Sequence, residues 1–178
     1  SYDPEKAKKL LAEAGYPNGF ETAFATGSGR YLLDKQIAEA IVGMLAKVGI
    51  KAKLKVYEWG KYSQVRKAHK IEPFYLLGWG NTMYDADGTL VPLFISKSTY
   101  SNYSNPELDK MLMGARYELD AGKRKVQYKE ILKLIKEEAP WIFLYQQRDN
   151  YGVRDTVANF LQSAGSERMD CDVLKLSK

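Results

Sequence analysis

Apolar residues recur at helical spacing in the opening segment, where Ala7, Leu10, Leu11 and Ala14 form one stripe among charged neighbours. Both ends of that helix are marked. Asp3 is placed to accept from free backbone N–H groups of the first turn, Pro4 suits a position that needs no N–H, and Gly15 supplies a left-handed stop. Phe20 to Thr26 reads as a strand ending in the turn-prone Gly27-Ser28-Gly29. Leu33, Ile37, Ile41, Leu45 and Val48 then return to helical spacing until Gly49 ends the run. From Ile50 to Tyr57 the period drops to two, with Lys51, Lys53 and Lys55 alternating against Ile50, Ala52, Leu54 and Val56. The result is a β-α-β unit whose strands should run parallel.

A short helix follows over Glu58 to His69, with Trp59, Tyr62 and Val65 inward, and then the apolar strand Phe74 to Trp79. Residues 80–104 are rich in Gly, Asn, Asp, Thr, Ser and Tyr, marking an irregular region with a short helix near Leu90 to Phe94. Asn105-Pro106 opens a helix whose buried face is Leu108, Met111, Leu112, Ala115 and Leu119; Asp120 caps another facing inward through Tyr128, Ile131, Leu132 and Ile135. Pro140 ends it. Trp141 to Tyr145 reads as a buried strand and Tyr151 to Arg154 as a short final one, before a weakly patterned tail from Gln162. No repeat or internal boundary is evident, so residues 1–178 read as a single domain.

Composition narrows the class. Hydrophobic residues make up 45% and charged residues 28%, and no apolar run is long enough to span a bilayer. The lone Cys171 excludes an internal disulfide and a Cys-rich zinc site. A net charge of +5 permits attraction to nucleic acid, but the lysines are dispersed on outer faces rather than gathered in a stripe. No nucleic-acid partner is expected. The thirteen tyrosines read as core and cleft residues.

The wording of the first helix is more specific than its pattern. Tyr2-Asp3-Pro4-Glu5-Lys6-Ala7-Lys8-Lys9-Leu10-Leu11-Ala12-Glu13-Ala14-Gly15-Tyr16-Pro17-Asn18-Gly19 resembles a segment in the C-terminal lobe of extracytoplasmic solute-binding proteins of the dipeptide, oligopeptide and nickel class. Further segments agree in order: Leu45 to Trp59 with its Gly49-Ile50 turn, Gly78-Trp79 with the Asp-containing stretch to Phe94, Asn102 to Asp109, and Arg124 with Tyr128 and Ala139-Pro140-Trp141-Ile142. The resemblance covers about residues 2–160. It implies an α/β fold with a mixed sheet flanked by helices, forming one lobe of a type II periplasmic-binding-protein or Venus-flytrap architecture. It also implies a binding protein rather than an enzyme, capturing a peptide or similar polar solute between lobes for an ABC importer permease. No cofactor is implied. The chain starts at a helix cap without Met or an export signal, so it reads as an excised lobe whose parent carries the N-terminal lobe upstream. The expected location is periplasmic or otherwise extracytoplasmic, with or without a membrane tether.

By the same resemblance, ligand contact falls on Gly78, Trp79, Gly80, Asn81, Thr82, Tyr84 and Asp85. Loops beyond the carboxyl ends of parallel strands are also the usual ligand sites of α/β folds. In peptide-binding members an acidic side chain three positions after the Trp meets the ligand's amino terminus. Thr82 stands there, offering a hydroxyl and no charge, with Asp85 and Asp87 nearby as substitutes.

The competing chemistry is thin. Asp85 and Asp87 form a carboxylate pair that suits loop capping as well as a metal or glycoside chemistry. Gly27-Ser28-Gly29-Arg30 lacks the third glycine of a dinucleotide fingerprint, because Leu32 occupies it. His69, the only histidine, reads as an exposed helix-end residue, and Cys171 as incidental. A small-molecule enzyme using a nucleotide or metal on the β-α-β scaffold is the alternative reading.

Overall fold

The computed structural model describes residues 2–81, 84–148, 150–158 and 175–176. They fall into two compact units, residues 1–79 and residues 80–178.

The first unit is built on three parallel strands. Helix α1 (Pro4–Glu13) begins where Asp3 accepts the Lys6 N–H at 2.9 Å, and Gly15 takes its left-handed turn at φ +87°. Strand β1 (Glu21–Ser28) lies at the centre of the order β2-β1-β3, pairing in parallel with β2 (Lys51–Glu58) and β3 (Phe74–Tyr75). Its run Phe24 to Gly27 is buried without alternation, as a strand flanked on both sides requires. β2 keeps its lysines outward, so the alternation read from the sequence holds through Lys55. Helix α2 (Asp34–Ala46) packs across β1 and β2, and α3 (Trp59–Lys67) follows β2 directly. Gly19 and Gly49 meet backbone to backbone where the turns before β1 and β2 cross.

The second unit is mainly helical. Helices α4 (Asp87–Phe94), α5 (Pro106–Tyr117) and α6 (Ala121–Glu138) share a core of Leu90, Leu93, Phe94, Leu108, Leu112, Ala115, Tyr128, Ile131 and Ile135. Asn105 and Asp120 cap α5 and α6 as their positions predict. Two short strands, β4 (Val157–Ala158) and β5 (Lys175–Leu176), pair antiparallel.

The α/β class is therefore as read from the sequence, with corrections in detail. The stripe of α1 is only partly covered: no residue of α1 is buried, and Leu10 is exposed. Leu33 faces solvent because it adopts a left-handed conformation, φ 56°, ahead of α2. Leu119 lies beyond the end of α5 and Leu132 on the outer side of α6; both are exposed. The strand after Pro73 stops at Tyr75, and α4 starts three residues earlier than Leu90. Trp141 to Tyr145 is neither a strand nor buried, with Ile142, Phe143 and Tyr145 more than 60% exposed; Trp141 is half-buried, its ring 5.7 Å from Phe94, and the Phe143 ring lies 6.4 Å from the same residue. A buried strand needs a neighbour to hydrogen-bond, and among the described residues this segment has none in a sheet. Tyr151 to Arg154 is likewise irregular. Cys171 lies outside the described residues.

Candidate functional site

All three parallel strands end on the same side, and each is followed within four residues by an aromatic side chain. Tyr31 follows β1, Trp59 follows β2, and Gly78-Trp79 follows β3. Tyr31 meets Trp59 edge to face at 5.6 Å, and Trp59 stacks on the wholly buried Tyr62 at 5.6 Å. The Arg30 guanidinium lies 5.6 Å from the Tyr31 ring and 5.8 Å from that of Trp59.

The loop between β1 and α2 is held by Asp34. Its Oδ2 accepts the N–H groups of Arg30 and Tyr31 at 3.1 and 3.2 Å, and Oδ1 accepts that of Lys35 at 2.8 Å. Tyr31 then donates its hydroxyl to the Gly78 carbonyl at 3.2 Å, while Tyr62 donates to the carbonyl of Leu76. Burial pushes both tyrosine hydroxyls above their ordinary range, so they stay protonated donors at neutral pH. A second buried polar group sits beside β2. Glu72 Oε1 takes both Lys55 Nζ and the Tyr57 hydroxyl at 2.7 Å; burial raises its pKa, but these bonds outweigh burial and hold it below the usual value.

In the second unit, Gly80 and Tyr84 are exposed, Tyr84 in a left-handed conformation at φ 54°. Asn81 donates its side-chain amide to the Asp85 carbonyl at 2.7 Å. Asp85 is engaged on both oxygens by Arg124, at 2.6 and 2.7 Å, and also accepts the Asp87 N–H at 2.8 Å. Those Arg124 hydrogen bonds hold its carboxyl down to about 2. Arg124 in turn donates to the Ala115 carbonyl and the Tyr128 hydroxyl, both at 3.0 Å. Asp87 pairs with Arg116 at 3.0 Å. The carboxylate pair singled out in the sequence is thus neutralised by two arginines. Arg124 and Tyr128 were legible only as a motif; nothing in their spacing revealed the partner.

The other sequence candidates separate cleanly. Thr82 lies outside the described residues. His69 is exposed at the end of α3, as read. Arg66, from the same basic run, is instead buried. Two surface hollows lie at the amino ends of β1 and β2, and between α5 and α6; neither includes a predicted ligand residue. Among the described residues no group of three metal-ligating side chains converges, and no helix is long and apolar enough to cross a membrane.

The family model of bacterial extracellular solute-binding proteins, family 5 (middle), matches residues 1–101. The chain belongs to that family. Among family relatives, heme-binding protein A of Haemophilus influenzae is 37% identical over 152 residues, 79% of this chain and 27% of the relative. The glutathione-binding protein GsiB of Escherichia coli K12 is 34% identical over 158 residues, 83% of this chain and 30% of its own length. The periplasmic binding protein DppA of Helicobacter pylori, solved with the peptide STSA, superposes with a TM-score of 0.71 at 34% identity, covering 79% of this chain and 28% of that one. The chain thus spans about three-tenths of the length of the relatives it matches.

Proposed function

We propose that this chain is one lobe of a solute receptor for an ABC importer, binding a peptide or similar polar solute between itself and an N-terminal lobe of the same polypeptide. The arrangement that carries the reading is the aromatic and glycine cluster at the carboxyl ends of three parallel strands in a family 5 chain. On this reading Gly78, Trp79, Gly80, Asn81, Thr82, Tyr84 and Asp85 face the solute. Trp79 supplies an apolar wall and the neighbouring backbone supplies hydrogen bonds. Thr82 brings no charge, and Asp85 has its oxygens committed to Arg124, so the segment suits recognition by shape and neutral hydrogen bonds. Closure of two lobes excludes water and presents the closed form to the permease. The receptor works outside the cytoplasm, free or tethered to the membrane, and performs no chemistry on its cargo.

Calorimetric titration with Ser-Thr-Ser-Ala, glutathione and haem, on the chain joined to whatever coding sequence flanks it, tests this. Saturable binding that Trp79→Ala weakens about tenfold or more supports the reading. Binding indifferent to Trp79 moves the site elsewhere. Co-purification of a nucleotide or metal with substrate turnover would favour the enzyme alternative.

A further inference from the structure

We propose that Tyr31 is a positioning residue for the ligand segment, fixing Gly78 through both its hydroxyl and its ring so that Trp79 is presented in one backbone conformation. The inference rests on the ligand reading above. Its basis is the fit between two residues 47 positions apart.

The ring comes so close to Gly78 that a Cβ there would stand 2.7 Å from Cε1 and 3.1 Å from Cδ1 and Cζ of Tyr31. Gly78 does not share the positive φ of Gly15, Gly19, Gly29 and Gly49. The glycine is therefore favoured by space rather than by a turn, and the space is taken by the Tyr31 ring. The hydroxyl of the same side chain closes on the carbonyl of the same glycine.

Pairing with β1 hands over to side chains at this point. Leu76 still donates its N–H to the Ala25 carbonyl at 2.9 Å, but its own carbonyl goes to Tyr62, and the carbonyl two residues on goes to Tyr31. Residues two apart point the same way in extended chain, so one pair of tyrosines holds one side of the segment. Tyr31 is itself fixed, by Asp34 at its N–H and by Trp59 at its ring edge. A core-filling role would require only the ring. The hydroxyl bond is what separates positioning from filling.

Tyr31→Phe keeps the ring and removes that bond. Amide hydrogen exchange over 76–81 in the full chain should accelerate about three- to tenfold, with exchange in α2 and β2 unchanged. The affinity for any of Ser-Thr-Ser-Ala, glutathione or haem that the unaltered chain binds should fall by a similar factor. Unchanged exchange over 76–81 overturns the proposal. Gly78→Ala with Tyr31→Ser gives a second test, independent of the hydroxyl: the acceleration caused by Gly78→Ala should shrink when the ring is absent, and simple additivity of the two changes would count against the proposal. If the unaltered chain binds none of the three probes, the ligand reading fails for those solutes, while the exchange results still decide whether Tyr31 orders the segment.

Discussion

Arg124 meets Asp85 as two parallel hydrogen bonds, Nη1 to Oδ2 at 2.6 Å and Nη2 to Oδ1 at 2.7 Å, and its Nε reaches the Ala115 carbonyl. A planar fork matched to a carboxylate cannot be reproduced by an ammonium group. Arg124→Lys should therefore behave much like Arg124→Gln. Each should lower the thermal midpoint by roughly 2–4 °C and speed hydrogen exchange at 85–88, read by calorimetry and mass spectrometry.

The same pair sets the response to acid. The Asp85 carboxyl titrates at about 2 in the folded protein against an ordinary 3.8, and Glu72 is also held low. A depressed folded pKa gives stability that is complete above the unfolded value and is lost as pH falls toward the folded one. These two carboxyls thus leave stability flat between about pH 5 and 8 and make it decline between about pH 4 and 2. The Asp85 side chain is 39% exposed, so solvent screening keeps its share small. In Arg124→Gln, urea titrations across that range should show a shallower decline than in the unaltered chain.

Two glycine substitutions should have opposite signs. At Gly19, φ is +72° and a Cβ would lie 2.0 Å from the Gly49 carbonyl oxygen, so Gly19→Ala should cost more than about 2 kcal/mol. Gly114 sits inside α5 with nothing within 4 Å of its would-be Cβ, so Gly114→Ala should add about 0.5–1 kcal/mol. Chemical denaturation of both variants measures the contrast.

The exposed apolar run after Pro140 makes a further prediction. Ile142 is 69% exposed, and Ile142→Lys should leave unfolding stability within about 0.5 kcal/mol while reducing hydrophobic-dye binding and self-association. A drop of several degrees in the unfolding midpoint would show that the side chain is packed in solution.

Much of the fold was legible because local rules and burial agreed. Asp3, Asn105 and Asp120 sit where helices begin, Gly15 and Gly49 where left-handed turns are needed, and Lys51, Lys53 and Lys55 on an outer face. Several misreadings share one feature. Leu10, Leu119, Leu132 and the run from Ile142 to Tyr145 fit an apolar pattern yet are exposed, because such a pattern records a tendency without saying what covers it. The site shows the complementary limit. Gly78-Trp79 could be found by resemblance, but the tyrosines bonded to that segment's carbonyls come from the loop after β1 and from α3, and no local pattern links them.

The centrality of β1 also orders events in time. Phe24 pairs with Leu54, thirty positions on, and with Phe74, fifty positions on, and the first ladder runs to eight residue pairs where the second has two. Closing the longer loop for the smaller return should make β3 join this sheet after β2 and detach from it before β2, an order that pulse-labelled hydrogen exchange would read. The segment from Leu76 to Trp79 inherits that lateness, so a solute docking on it would act as the final stitch of the sheet, and the bound protein should resist proteolysis there before anywhere else.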